Sequence, residues 1–150
     1  MPVSEDRVKN AVVGYIANQG YSNGLKIKSE SQHGVDISAN HRDNVARRVA
    51  IEAKGDSDGQ NKTVAILMAW GELLSRLTAI NPNRIHGLAF PESWENNVAK
   101  LSSSIVAKQM NVHYYFVDDH GNVTEYTAHK FHDAHPKTKP KVKRSRKKSK

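Results

Sequence analysis

The chain has 150 residues, of which 37% are hydrophobic, 25% are charged and none is cysteine. This length suits one compact domain with its own core, and the lack of cysteine excludes disulfides, thiolate metal sites and a cysteine nucleophile. The net charge of +8 is local, because nine of the 23 Lys and Arg lie at 137–150, whereas residues 1–136 hold 14 basic and 15 acidic side chains.

Apolar periodicity in the first half predicts a helix and then three strands. Ser4 is a plausible N-cap for the helix, which ends at Gly20. Strands follow at 25–29, 34–39 and 45–54, with the polar turn 40–44 between the last two. A glycine-bounded loop at 55–59 leads to a helix over 60–79. That helix is apolar on two sides, so we expect it to be buried between layers. Its two stripes are Val64, Leu67, Met68, Gly71 and Leu74, and Ile66, Trp70, Leu73 and Leu77.

The second half continues with a strand at 85–90 and a helix that starts at Glu92. One stripe of this helix holds Trp94, Val98, Leu101 and Ile105. Strands at 112–117 and 123–126 then form a hairpin around the turn 118–122. The order αβββαβαββ predicts a mixed α/β layer arrangement, with helices packed against a central sheet. We expect Trp70 and Trp94 to lie in the core.

Targeting features are absent from the sequence pattern. The N-terminus lacks the charged-then-apolar pattern of a signal peptide. The longest apolar-rich stretch, 64–77, is too short and too polar to span a bilayer. We therefore expect no membrane association and a cytoplasmic or nucleoid-associated protein.

Strand parity brings three polar groups together. Side chains alternate between the faces of a strand, so Asp36 points away from its apolar neighbours on the second strand. Glu52 and Lys54 likewise share the polar face of the third strand. The turn between these strands pairs them antiparallel. We therefore expect the three side chains to lie side by side, on a face turned away from the interior.

These residue types suit phosphodiester hydrolysis. Two adjacent carboxylates resist joint ionisation, and Mg²⁺ resolves the conflict because it prefers oxygen ligands and needs only one or two carboxylates. A metal lowers the pKa of bound water, and a lysine beside it orients that water or offsets developing charge. The simpler alternative is a solvated face in which Asp36 pairs with Lys54 without any metal.

The segments Gly34-Val35-Asp36-Ile37 and Ile51-Glu52-Ala53-Lys54-Gly55 resemble the PD-(D/E)xK nuclease superfamily. This superfamily includes restriction endonucleases and Holliday-junction resolvases. The resemblance implies a restriction-endonuclease-like three-layer core with a mixed central sheet. It also implies that Asp36, Glu52 and the Ala53 carbonyl bind Mg²⁺, for which Mn²⁺ can substitute, and that Lys54 positions the attacking water.

Some branches of that superfamily use two further residues. One is an acidic residue from the first helix, which Glu5 would supply here. The other is a glutamine just after the lysine, which Gln60 would supply. The alternatives are a charge that complements the helix dipole at Glu5 and an ordinary polar helix start at Gln60. Asp56 and Asp58 form a turn or line the mouth of the site.

The C-terminal segment is predicted to be separate from the domain at 1–135. Residues 136–150 lack apolar content and are expected to be a disordered basic tail. Such a tail binds nucleic acid without sequence preference. A solubility tail or an address signal is the alternative. The residues expected to contact phosphates are Lys137, Lys139, Lys141, Lys143, Arg144, Arg146, Lys147, Lys148 and Lys150.

The late histidines lack acidic or cysteine partners at fixed spacing. His129, His132 and His135 would share one face of a helix, but we expect surface or phosphate-contacting side chains rather than a metal site. The same expectation holds for His113 and His120.

The leading hypothesis is a Mg²⁺-dependent endonuclease that cuts DNA, leaving by resemblance a 5′-phosphate and a 3′-hydroxyl. Short loops favour structure-guided or weakly specific cutting, because base readout needs elements that reach a groove. A homodimer is expected, since cutting two strands takes two sites. The alternatives are a catalytically silent nucleic-acid-binding protein and a chromatin- or ribosome-associated protein that acts through its tail.

Overall fold

A computed structural model describes residues 2–28 and 34–137, which form a six-stranded mixed sheet with flanking helices. A 3₁₀ turn at Glu92–Trp94 precedes the third helix. The helices are α1 (Glu5–Asn18), α2 (Lys62–Ser75), α3 (Glu95–Leu101), α4 (Ser104–Gln109) and α5 (Ala128–Ala134). The strands are β1 (Tyr21–Ile27), β2 (Ile37–His41), β3 (Arg48–Ala53), β4 (Arg84–Pro91), β5 (Val112–Val117) and β6 (Val123–Thr127).

The strands lie in the sheet in chain order, β1 to β6. The first three form an antiparallel meander, β3, β4 and β5 run parallel, and β6 returns antiparallel to β5. The predicted mixed α/β class is confirmed, as is the hairpin around 118–122, where Val117 pairs with Val123. Parallel neighbours need a crossover, and α2 supplies the one between β3 and β4.

Two apolar clusters pack on opposite faces of the sheet, and both predicted core tryptophans, Trp70 and Trp94, are buried in the second. The first cluster lies under α1, whose Val8, Val12 and Ile16 are fully buried. The second lies under α2 to α5. The α1 face of the meander is formed by Ile37, Ala39, Val49, Ile51 and Ala53.

The prediction that α2 is buried on both sides is wrong. Its Ile66, Trp70 and Leu73 are buried, because this stripe meets the sheet and α3. Within the described residues, its opposite side faces solvent. Side chains there are about half exposed, at 47–51%: Val64, Leu67, Met68 and Leu74.

The single helix predicted after Glu92 is also wrong, since the structure has a 3₁₀ turn and two short helices there. Ser102 breaks the run: its hydroxyl accepts a 3.0 Å hydrogen bond from Trp70 Nε1. Ser103 then caps α4 by accepting from the backbone N–H of Val106. Ile105 is consequently 68% exposed instead of lying on the apolar stripe. Helix α5 was not predicted as an element.

Among residues 2–28 and 34–137, we find no helix with both the length and the apolar character needed to cross a membrane.

Candidate metal centre

Asp36 lies just before β2 and is held by backbone groups. Its Oδ2 accepts a 2.8 Å hydrogen bond from the backbone N–H of Ala53, at the end of β3. The register that pairs Ile37 with Ile51 sets this contact. The Asp36 carbonyl accepts a 2.7 Å bond from the N–H of Lys28. The predicted adjacency of Asp36 to the third strand is therefore present, with the side chain only 5% exposed.

Glu52 is fully buried on the face of β3 that α2 covers. Arg76, the residue directly after α2, donates to Glu52 Oε1. The other oxygen, Oε2, has no hydrogen-bond partner among the described residues. Burial raises the pKa of Glu52 to about 8; the Arg76 hydrogen bond opposes this rise, and the nearby Asp36 carboxylate adds to it. The protein thus places an acidic side chain where its charged form is costly.

Glu72 is the acidic residue that sequence reasoning missed. It lies on α2, and one oxygen from each of Asp36, Glu52 and Glu72 lies within 4.8 Å of the others. Its Oε1 also accepts from Lys54 Nζ at 3.3 Å. Lys54 is therefore paired with Glu72, so the predicted alternative of an Asp36–Lys54 pair does not describe this site. Helical periodicity places Glu72 and Arg76 one turn apart on the same side of α2.

The expected orientation of the polar face is wrong. Asp36 and Glu52 do not face solvent, because the sheet carries helices on both faces and α2 covers this one. Sequence parity separates the two faces of a strand, but it does not say that either face is open. The cover immediately over Glu52 is nevertheless charged, consisting of Arg76 and Glu72. The side chains of Arg76 and Glu72 are 29% and 30% exposed, so this charged cover is itself in contact with solvent.

Two lysines balance Asp36. Lys28 Nζ lies 3.6 Å from Asp36 Oδ1, and Lys9 Nζ of α1 lies 3.9 Å from the same atom. Lys9 also contacts Glu5 Oε2 at 3.2 Å. The structure thus brings Glu5 to the edge of the cluster through Lys9.

Gln60 makes a hydrogen bond within its own loop. It accepts this bond from the Ser57 hydroxyl at 2.7 Å. It lines the same surface cleft as Glu5. A site role for Gln60 and a ligand role for the Ala53 carbonyl remain predictions.

The loop after Lys54 anchors the start of α1. A Cβ on Gly55 would overlap the backbone of Ser4 and Glu5, so only glycine allows this close approach. Asp56 accepts 2.9 Å hydrogen bonds from the N–H of Val3 and from Trp94 Nε1. Asp56 therefore fastens the N-terminal segment next to the site, which is a structural role beyond that of a turn former.

The late histidines serve separate contacts. His113 Nδ1 lies 2.6 Å from Glu125, His132 Nε2 lies 2.9 Å from the Tyr114 hydroxyl, and His135 lies 3.1 Å from Glu95. The surface prediction holds for His120 and His129 but is wrong for His132, which is 7% exposed. Burial lowers the pKa of His132, and Lys108 and Lys137 lower it further.

Of the predicted phosphate-binding residues, only Lys137 falls within the described part of the chain. Its Nζ donates a 2.8 Å hydrogen bond to the Ser102 carbonyl. The predicted disordered tail beyond it, together with the other eight Lys and Arg, lies outside the described residues.

The donor set fits a hard divalent cation. All three groups are carboxylates, which suit Mg²⁺ or Mn²⁺ better than a soft metal. Within the described residues this is the only group of three or more His, Cys, Asp or Glu close enough to share an ion. Exposed acidic clusters are common without a metal, but here two of the three carboxylates are buried and one oxygen is unpaired.

Comparisons with protein-family models, with curated proteins and with solved structures gave no match to this chain.

Proposed function

We propose that this chain is a metal-dependent endonuclease that hydrolyses DNA phosphodiester bonds at the Asp36–Glu52–Glu72 centre. The observation that carries the proposal is the buried, unpaired Oε2 of Glu52, beside two further carboxylates. A buried carboxylate oxygen without a partner costs free energy. A bound cation would supply the missing interaction and would reduce the repulsion among the three acids.

The chemistry follows from the groups at the site. A bound Mg²⁺ lowers the pKa of a ligated water and neutralises charge on a phosphate oxygen. Asp36 and Glu72 would share the ion with Glu52. Lys54, held by Glu72 at 3.3 Å, would orient the attacking water and stabilise developing negative charge. By the resemblance to PD-(D/E)xK nucleases, hydrolysis would leave a 5′-phosphate and a 3′-hydroxyl.

The topology supports the resemblance to PD-(D/E)xK nucleases without depending on the short motif. The elements α1-β1-β2-β3-α2-β4 follow the order that the resemblance implies: a helix, a three-stranded meander, a helix and a strand. Asp36 and Glu52 lie at the ends of two adjacent strands. We propose that the sheet and its flanking helices form a restriction-endonuclease-like core.

We further propose DNA as the substrate, cut with structural rather than sequence preference, and a homodimer as the active form. The basic segment at 137–150 supplies sequence-independent affinity. Sedimentation velocity of the full chain tests the homodimer. We expect a species of twice the 16.7 kDa chain mass.

A plasmid-nicking assay tests the function. Supercoiled DNA is incubated with the protein and Mg²⁺, Mn²⁺ or EDTA. We expect metal-dependent nicking that falls by about 10²–10⁴-fold in Lys54→Ala and Glu52→Gln. The matched control is Lys100→Ala, an exposed lysine on α3, which should cut like the parent.

The second candidate is a catalytically silent nucleic-acid-binding protein with the same fold. The pairing of Arg76 with Glu52 and of Lys54 with Glu72 favours it, because a charge-neutralised cluster can be purely structural. Retained DNA binding by the parent, with no cutting of plasmid, flapped or four-way-junction DNA in either metal, would favour this candidate and reject the nuclease.

A further inference from the structure

Among the described residues, Arg76 is the arginine that contacts the acidic cluster. It directly follows the last residue of α2 and donates to the fully buried Glu52. Glu72 lies one helical turn before it. Burial lowers the pKa of Arg76, but the hydrogen bond to Glu52 and the negative charges of Glu52, Glu72 and Asp36 raise it overall. Arg76 therefore supplies positive charge beside the group of carboxylates that could hold a divalent cation.

Within the part of the chain that the structure describes, the Arg76 side chain is held at the cluster by a single ion pair, with Glu52. Among the described residues, Glu52 is the only hydrogen-bond partner of its guanidinium. Its side chain is 29% exposed and begins beyond the end of α2. A rotation of the side chain toward solvent would break one ion pair and leave the helix intact. Glu52, in contrast, is fixed on a central strand of the sheet.

We infer that Arg76 is a phosphate-binding residue that a divalent cation releases from Glu52; this inference rests on the proposed nuclease function. In the metal-free protein Arg76 holds Oε1 of Glu52, and a cation that binds at the unpaired Oε2 would compete with it for the carboxylate. Once the cation takes Glu52, the guanidinium is free beside the centre. Its planar fork can then make two hydrogen bonds to a phosphodiester group.

The coupling has a functional consequence. Without metal, Arg76 is engaged with Glu52 and contributes little to DNA binding near the centre. With metal, the same guanidinium helps to hold the scissile phosphate against the ion. DNA binding at the centre is therefore linked to metal binding through the Arg76 side chain. Each ligand, metal or DNA, should raise the affinity of the protein for the other.

Calorimetric titration with Mn²⁺, without DNA, tests the competition. The proteins are the parent, Arg76→Gln, Arg76→Lys and a control, Arg42→Gln, which removes an exposed arginine paired with Asp43 at the other end of β2. We expect Arg76→Gln to bind Mn²⁺ about tenfold more tightly, because a competing charge is gone. Arg76→Lys keeps the charge and should bind within about twofold of the parent, as should Arg42→Gln.

Plasmid nicking at saturating Mn²⁺ tests the phosphate contact. We expect Arg76→Gln to cut about 10- to 100-fold more slowly despite its tighter metal binding, and Arg76→Lys to be reduced because an ammonium cannot make the paired contact. Circular dichroism checks folding, and Arg76→Lys carries the test if Arg76→Gln does not fold.

The role of Arg76 and the nuclease function can fail separately. Unchanged or weaker Mn²⁺ binding by Arg76→Gln, or unchanged cutting at saturating Mn²⁺, overturns the role of Arg76 while the nuclease proposal stands. Failure of the parent to bind Mn²⁺ overturns both.

Discussion

The backbone N–H of Ala53 donates a buried 2.8 Å hydrogen bond to Asp36 Oδ2, and this bond joins the start of β2 to the end of β3. The carboxylate that begins one strand is thereby positioned by the backbone that ends the next. A carboxylate held by a buried backbone N–H keeps its geometry without a ligand. The second Asp36 oxygen, Oδ1, faces Lys28 and Lys9.

This bond predicts different outcomes for two substitutions at Asp36. Asp36→Asn keeps an acceptor for the Ala53 N–H, so it should lose less stability than Asp36→Ala, while Mn²⁺ binding is lost in both. Asp36→Ala leaves that buried N–H unpaired and should lose about 1–3 kcal/mol of stability. Urea denaturation and Mn²⁺ titration measure the two effects. Equal stability of the two variants would show that the bond does not position the carboxylate.

Glu72 should be needed for metal binding even though it lies on a helix outside the sequence motif. We expect Glu72→Gln to weaken Mn²⁺ affinity by at least about tenfold, because one of three oxygen ligands loses its charge. The matched control is Glu92→Gln, an exposed carboxylate outside the cluster. Titration of both proteins measures the difference, and equal affinities would remove Glu72 from the centre.

Gly55 should be sensitive to the smallest possible enlargement. A methyl group there would overlap the backbone at the start of α1, so Gly55→Ala should lose about 1–3 kcal/mol. The control is Gly71→Ala, since a Cβ at exposed Gly71 of α2 meets nothing within 4 Å. That change should be stabilising by about 0.5–1 kcal/mol. Thermal unfolding compares the two; a harmless Gly55→Ala would mean that α1 does not rest on this loop.

His132 should make stability depend on pH below neutrality. Burial and neighbouring cations lower its pKa in the folded protein. The unfolded chain then binds the proton more readily than the folded protein. The contribution of His132 to the free energy of unfolding is therefore complete above about pH 6.5 and falls as the pH drops below that value. Buried His86, whose pKa is also lowered, adds to this fall.

Urea denaturation at pH values between 7.5 and 5, about one pH unit apart, measures this dependence of stability on pH. His132→Gln should lose less stability over this range than the parent. The exposed His129→Gln on the same helix should follow the parent. A His132→Gln profile as steep as that of the parent would show that His132 does not stay neutral in the folded state.

The position of the motif residues was predictable because it depends on local rules. Period-two alternation and a short turn suffice to place Asp36 beside Glu52 and to put Lys54 on the face of Glu52. Glu72 and Arg76 were not predictable in this way. Their place depends on how α2 crosses the sheet, which no spacing within the helix encodes.

The dependence on tertiary packing also explains why the predicted burial of α2 was wrong. The two apolar stripes of α2 are real, yet no element in the described part of the chain covers the second one. Its exposure arises because no described element packs on the outer side of α2, which the sequence of α2 does not express. The break at Ser102 and Ser103 had a local cue, since serine is a common N-cap, but the continuing apolar spacing to Ile105 outweighed it.

Anomalous diffraction from crystals grown with Mn²⁺ would locate the ion at the Asp36–Glu52–Glu72 centre. We expect one strong anomalous peak within about 2.0–2.5 Å of carboxylate oxygens from both Asp36 and Glu52, with the Arg76 guanidinium moved off Glu52. Crystals soaked at saturating Mn²⁺ that show no peak between these carboxylates, with Arg76 still bound to Glu52, would contradict the proposed metal centre.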